Sequence, residues 1–412
     1  MANRKRRYIM NRLKSRNEIN KYILLFSMAY MVSYMTRVNY GAVILEIEKA
    51  TQMSKTLLSM ALTGSAVSYA VGQIISGICG DRISPKKLIS CGLLLTTLMN
   101  LLIPFCGSAY QMTAVWCVNG FAQSLMWPPM VRLMSMLFTM DTYKKASVKV
   151  SWGSSCGSIA VYLLSPFWIA TMGWKSVFWI SAGVGAAMLI VWNCLCCDIK
   201  EDPFEEEEIR TGSNKILFSP LILAIMLAIV LQGILRDGVT TWMPTYVSET
   251  YHLSSEISIL TGVLLPVFSI VCYEIAARLY RSYFQNPLLC AGIIFAVGTG
   301  AALILYLFTG QNAVLSVVFS AFLTGSMHGV NFILICMIPP FFQKYGNVST
   351  ASGVLNSCTY MGSALSGYGT ALLAEHFDWS ITILVWTVIA LTGTCICLLC
   401  VRLWRRSPLA AE

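Results

Sequence analysis

Residues 21–49 read KYILLFSMAYMVSYMTRVNYGAVILEIEK, and between Tyr22 and Ile47 nearly every position is apolar or small. At about 1.5 Å per residue, a helix of that length crosses a hydrocarbon core of about 30 Å. Yet Arg37 sits well inside it. A charge at that depth costs roughly 2.5–3.5 kcal/mol on insertion scales, so it marks either a segment that is not a membrane span or a site that needs the charge. The rest of the chain decides between these. Of its 412 residues, 56% are hydrophobic and 12% charged, half the charge of about 25% carried by soluble domains. Twelve apolar runs recur, at 20–46, 56–79, 88–107, 109–137, 148–171, 175–197, 217–243, 255–279, 287–309, 312–338, 349–374 and 379–403. The expectation is an all-α membrane protein with twelve transmembrane helices.

A net charge of +10 raises the question of nucleic acid. Its distribution points to the bilayer instead. Basic residues gather in the N-terminal arm (Arg4 to Lys21), the 2–3 loop (Arg82, Lys86, Lys87), the 4–5 loop (Lys144, Lys145, Lys149), the 8–9 loop (Arg278, Arg281) and the tail (Arg402, Arg405, Arg406). This is the positive-inside pattern, and an even number of spans then puts both termini in the cytoplasm of a multi-pass plasma-membrane protein. The fifteen cysteines are scattered through the spans, so they read as small packing residues rather than metal ligands. No metal and no cofactor is expected. No phosphate-cradling loop, zinc-ligand spacing or nucleophile elbow is present, so nothing in the sequence supports catalysis and no enzyme is expected.

The polar stretch DIKEDPFEEEEIRTGSNK at 198–215 separates six spans from six. The chain therefore divides into a basic arm (1–19), a first six-helix half (20–197), an acidic linker (198–216), a second half (217–403) and a tail (404–412). Internal matches make the halves repeats. CGS at 156–158 precedes Trp174 as MGS at 361–363 precedes Trp379, both at an offset of 205 residues; Arg37 and Arg236 are matched at an offset of 199. Each arginine lies about sixteen residues into its span. Two pseudo-symmetric halves with a site at their interface are a recurrent plan of secondary transporters.

In the first span Tyr30, Ser33, Tyr34, Arg37 and Gly41 share one helical face; in the seventh, Gln232, Arg236 and Thr240 do. Polar stripes in apolar helices face a cavity or a neighbour, not lipid. Each arginine is then either a structural ion-pair partner or an anion ligand. For Arg236 the adjacent Asp237 is available, although consecutive side chains leave a helix about 100° apart. Around Arg37 the nearest acid in sequence is Glu46, over two turns away. Uncompensated guanidinium forks suit phosphate or carboxylate oxygens.

GICGDRISPKK (77–87) resembles the G-x-x-x-D-R loop of the major facilitator superfamily, and AARLYR (276–281) is a degraded second copy. Four further stretches are similar to the organophosphate:inorganic phosphate antiporter family, the group of glycerol-3-phosphate and hexose-6-phosphate transporters. They are LRDGVTTWMPTY (235–246), NGFAQSLMWPPMVRLMSMLF (119–138), SYMTRVNYG (33–41) and GNVSTASGVLNSCTYMGSALSG (346–367). The resemblance implies the major facilitator fold, alternating access, and substrate arginines at Arg37 and Arg236, with Tyr30 and Tyr34 preceding the first. Three positions depart from it: Gln73 stands where the family's phosphate carriers have a lysine, Ser154 where they have a histidine, and Val38 where a basic residue follows the first arginine. Fewer cations favour a singly charged anion over a doubly charged one.

The expected substrate-binding set is Arg37, Arg236, Tyr30, Tyr34, Gln73, Ser154, Gln232, His328 and Tyr360. The expected gating set is Gly77, Asp81, Arg82, Arg132, Glu274 and Arg278. Here Glu274 pairs with Arg278 four residues on, and Asp81 locks helix ends, as the resemblance implies. The expected protein is a monomeric secondary transporter of a small organic anion, a phosphorylated metabolite exchanged for inorganic phosphate. The alternatives are an ion-coupled symporter of a sugar acid, with coupling at Asp237 or His328, and a transporter-like sugar-phosphate sensor.

Overall fold

The computed structural model describes residues 13, 15–53, 55–197, 216–252 and 255–409. Most of the basic arm, the acidic linker at 198–215 and the last three residues of the tail lie outside these. Among the described residues there are thirteen α-helices: α1 (Arg16–Thr51), α2 (Lys55–Gly80), α3 (Pro85–Leu102), α4 (Ala109–Ser124), α5 (Trp127–Leu137), α6 (Met140–Met172), α7 (Lys175–Leu195), α8 (Pro220–Tyr251), α9 (Ser255–Ser282), α10 (Pro287–Phe308), α11 (Ala313–Asn331), α12 (Val348–His376) and α13 (Trp379–Arg406). They make twelve spans, because α4 and α5 are one span broken in the middle. The break follows from Trp127-Pro128-Pro129: two consecutive residues without N–H cannot continue the ladder. Leu125 and Met126 close the end of α4 with tighter bonds to Ala122 and Gln123 (3.2 Å each).

Local chemistry sets the other ends. Side-chain oxygens of Ser108, Thr139, Ser219, Asn286, Asn312 and Asp378 accept amides in the first turns of α4, α6, α8, α10, α11 and α13. Proline opens α3, α8 and α10, where its missing donor costs nothing. Past α11 the span continues through a π-turn, Phe332–Cys336, into a 3₁₀ segment, Pro339–Tyr345.

Among the described residues, eight spans are long and apolar enough to cross a membrane by composition alone. The other four are α1, α4 with α5, α9 and α12, so Arg37 lies on one of the polar spans. Large apolar side chains such as Leu163 (69% exposed) and Leu399 (76%) stand on the outside, which suits lipid and not water.

The chain forms two compact units, Met1–Ser213 with Phe342–Val354, and Asn214–Phe341 with Leu355–Glu412. The start of α12 thus belongs with the first unit. In each unit one close helix contact recurs. A Cβ placed on Gly157 of α6 would stand 2.4 Å from the Met31 carbonyl oxygen of α1; one on Gly362 of α12 would stand 2.2 Å from the Val230 carbonyl oxygen of α8. The glycines are 205 residues apart and their partners 199, the two offsets of the sequence repeat. Small residues let backbones touch where lipid supplies no hydrophobic drive.

Candidate functional site

The face of α1 behind Arg37 is held by a buried amide network. The Thr36 carbonyl accepts from Asn100 Nδ2 (3.0 Å) on α3 and Asn119 Nδ2 (3.1 Å) on α4. Gln123 Nε2 donates to the hydroxyls of Thr36 (2.9 Å) and Thr96 (2.8 Å), and its carbonyl accepts from Ser33 (2.5 Å). Thr96 donates to Asn119 (2.5 Å), and Asn39 to Asn100 (2.7 Å). Thr36, Asn39, Asn100 and Asn119 are fully buried. Inside a membrane such groups have only each other, so the network sets the rotation of α1. Asn119 and Gln123 belong to the span-4 signature, and this is what that signature does here. It went unrecognised in the sequence because its acceptors are α1 backbone and α3 hydroxyls.

Ser33 therefore leaves the expected stripe and turns into this network. Tyr30, Tyr34 and Arg37 remain together on the other side. The Arg37 guanidinium lies 4.1 Å from the ring centroid of Tyr69 on α2 and 5.6 Å from that of Tyr34. Tyr30 packs on Tyr34 (5.2 Å) and on Trp127 of α5 (4.9 Å). Aromatic faces offer a cation negative charge density without neutralising it. Tyr69 was not among the expected site residues; its place four residues before Gln73, on the same face of α2, was the available signal. Gln73 itself is buried and donates to the Ser124 carbonyl (3.4 Å). Ser154 is buried in α6, where its hydroxyl bonds back to Ser151 (2.7 Å) between Gly153 and Gly157, the residues that seat α6 on α1.

The second unit is built differently. Arg236 Nε donates to Asp237 Oδ1 (2.6 Å) and Nη2 to Oδ2 (2.9 Å). The expectation of an uncompensated charge at Arg236 is thereby corrected: adjacent Cβ atoms diverge, but the arginine stem is long enough to fold back onto its neighbour. Ser363 of α12 also donates to Asp237 Oδ2, delivered there by the Gly362 contact. Tyr360 and Tyr273 stand within electrostatic reach of Arg236, and His328 within reach of Asp237. His328 Nδ1 and the Tyr273 hydroxyl are 3.3 Å apart. Gln232 is buried, donating to the Met327 carbonyl (3.2 Å). Thr359 donates to Asn331 (3.5 Å).

The residues expected to gate divide into two groups. Asp81 caps α12: Oδ1 accepts from the Ser349 amide (2.9 Å) and Oδ2 from the Thr350 amide (2.7 Å), the second and third residues of that helix. Arg132 donates to the Gly80 carbonyl and lies 3.9 Å from Asp81. Gly77 and Gly353 let the backbones meet; a Cβ on Gly353 would stand 2.2 Å from the Gln73 carbonyl oxygen. Burial raises the Asp81 carboxyl to about 6, against the opposite pull of the α12 amides and Arg132. Arg82 is exposed. Glu274 pairs with Arg281 (3.5 Å), not with Arg278, which is exposed. The partner seven residues on lies on the same face two turns away and has the reach.

Residues 26–365 match the Major Facilitator Superfamily model, and the chain belongs to that superfamily. It is a multi-pass secondary transporter of this kind and not an enzyme. Among curated relatives, the glycerol-3-phosphate transporter of Bacillus subtilis is 26% identical over 308 residues, 67% of this chain and 68% of the relative. The membrane sensor protein UhpC of Salmonella typhimurium is 21% identical over 382 residues (86% and 85%), and a probable hexose phosphate transport protein of Chlamydia muridarum 20% over 392 (85% and 84%). These relatives agree with the antiporter-family resemblance of the motifs. Two solved structures share the fold: the proton:xylose symporter XylE (TM-score 0.73, 13% identity, 93% of this chain and 95% of that one) and FucP in the outward conformation (0.74, 11%, 93% and 99%).

Proposed function

We propose that the protein carries a small organic anion by alternating access, a phosphorylated metabolite in exchange for inorganic phosphate, with Arg37 and Arg236 as its anion ligands. The observation that carries this is Arg37: a guanidinium at mid-span, fixed in register by the amide network and set on tyrosine faces. An anion there gains charge-assisted hydrogen bonds from the guanidinium fork. The repeat supplies Arg236 at the matching place in the second unit, and relatives named for glycerol 3-phosphate and hexose phosphate fit the ligand chemistry. Tyr30, Tyr34, Gln232, His328 and Tyr360 then supply hydroxyl, amide and imidazole groups for the rest of the substrate, while Gln73 and Ser154 support the helices. Both termini face the cytoplasm of the plasma membrane.

The pairing of Arg236 with Asp237 favours a second reading, proton-coupled symport of an organic acid. A relative named as a chloroplastic ascorbate transporter (Arabidopsis thaliana, 23% identical over 269 residues) suits it. Thermal stabilisation of the purified carrier by inorganic phosphate, glycerol 3-phosphate, glucose 6-phosphate and gluconate tests the ligand class, since a ligand at 100 times its Kd adds about 2.7 kcal/mol. Phosphate-loaded proteoliposomes then test exchange. Stabilisation by the phosphates together with counterflow supports the first reading; stabilisation without flux makes the protein a sensor.

A further inference from the structure

Arg236 and Asp237 form a closed pair in the middle of α8. Two guanidinium donors meet the two carboxylate oxygens at 2.6 and 2.9 Å, and Ser363 adds a third donor to Oδ2. The matching position in the first unit, 199 residues earlier, is Val38. The carboxylate is therefore a feature of one unit, not a product of the repeat. The pair is not sealed: the Arg236 side chain is 14% exposed and that of Asp237 32%. An arriving anion finds the Nε edge of the fork already taken. Taking the other edge, it would share one guanidinium with a second anion, leaving an uncompensated negative charge inside a membrane span. Buried groups in that position neutralise by binding a proton.

We propose that Asp237 is the resident counter-anion of Arg236: a substrate anion displaces it, it takes one proton from the water as it leaves, and it returns to the fork when substrate and proton depart. This deepens the anion-carrier reading above and rests on Arg236 being an anion ligand. The charge balances: a monoanion enters with one proton, the proton bonding to an Asp237 oxygen and returning to water on release. Among the described residues, Arg236 on its own helix, Ser363 on α12 and His328 on α11 act on Asp237, while Tyr360 on α12 and Tyr273 on α9 stand near Arg236. His328 Nδ1 lies 3.3 Å from the Tyr273 hydroxyl, which occupies that ring nitrogen. Strict exchange needs an empty carrier that cannot cross because it holds a bare charge. A carrier whose arginine is already neutralised can return empty, so the pair predicts net uptake with protons alongside exchange.

The test uses the full-length carrier in proteoliposomes with labelled glycerol 3-phosphate, inorganic phosphate and gluconate as probes. In the wild type, an inward proton gradient should drive net uptake into vesicles containing no internal anion. Apparent affinity should fall with rising pH by about tenfold per unit more steeply than in Asp237→Asn, a difference that cancels the probe's own titration. The asparagine variant should bind more tightly at pH 7.5, by about tenfold or more, and lose net uptake while still exchanging. Ser363→Ala, which loosens the carboxylate without removing it, should shift the pH midpoint, and it serves if the asparagine variant does not fold. Equal pH slopes and unchanged net uptake in both variants would overturn the proposal alone. Undiminished binding in Arg236→Ala, or binding of none of the probes by the wild type, would overturn the anion-ligand reading and the proposal with it.

Discussion

The two arginines occupy the same place in the repeat and live in opposite electrical settings. Each lies on a helix seated by a glycine against a neighbouring backbone, Gly157 on α1 and Gly362 on α8. The first guanidinium rests on Tyr69 and Tyr34; the second is clamped by Asp237 and, through it, by Ser363. Shared packing with different neighbours shows that the scaffold sets where a side chain stands and a single adjacent residue changes what it meets. Val38 against Asp237 is the difference at the residue that follows each arginine.

The most severe way to break this comparison is to remove each cation. Arg37→Ala and Arg236→Ala should each abolish measurable transport, a loss of about 2–5 kcal/mol in anion binding, while the protein still inserts. Because Arg236→Ala leaves the Asp237 carboxylate without its guanidinium partner, that variant should also melt lower than the wild type in a thermal scan. Transport by both variants at wild-type rates would end the argument.

Next comes pH, which should separate the two units. Asp81, with its carboxyl raised to about 6, makes the first unit respond to pH through its cap on α12 and not through Arg37. A carboxyl that binds its proton more tightly when folded stabilises fully below its ordinary value of about 3.9, and that stability is lost as pH rises through 6. Melting in detergent should therefore fall between pH 4 and 7, by at most about 2–3 kcal/mol, and Asp81→Asn should flatten the curve. A wild-type curve already flat in that range would refute the assignment.

Smaller again is the glycine seat. Gly157→Ala and Gly362→Ala should each cost about 1–3 kcal/mol, since the new methyl meets a carbonyl oxygen that must move. Unequal costs would show that the two seats are not equivalent. The smallest effect concerns the aromatic setting: Tyr69→Leu should weaken anion binding by about 1 kcal/mol and Tyr69→Phe by much less, measured as a ratio of Kd values.

Much of this was legible in the sequence. Twelve apolar runs, two offsets and an arginine inside each half determine the fold and point to both guanidinium groups. What escaped is instructive because each miss has a physical cause. Asp237 was discounted on the angle between consecutive side chains, a rule for Cβ vectors that a four-atom arginine stem escapes. Glu274 was paired by the i+4 rule although Arg281 lies on the same face two turns on. The partners of Asp81 are amides 268 residues away, with no side-chain signature to read. CGS and MGS were recognised as landmarks of a repeat, whereas their glycines are where the backbones touch.

The Thr36 carbonyl, held from two neighbouring helices at once, has a mechanical consequence. A slip of α1 by a single residue would strip acceptors from Asn100 and Asn119 together, with no water at hand to take their place. The helix is thus keyed to α3 and α4 like a tooth in a lock, and Arg37 cannot move by sliding or twisting of α1 alone. Whatever displacement carries that guanidinium must carry all three helices as one body.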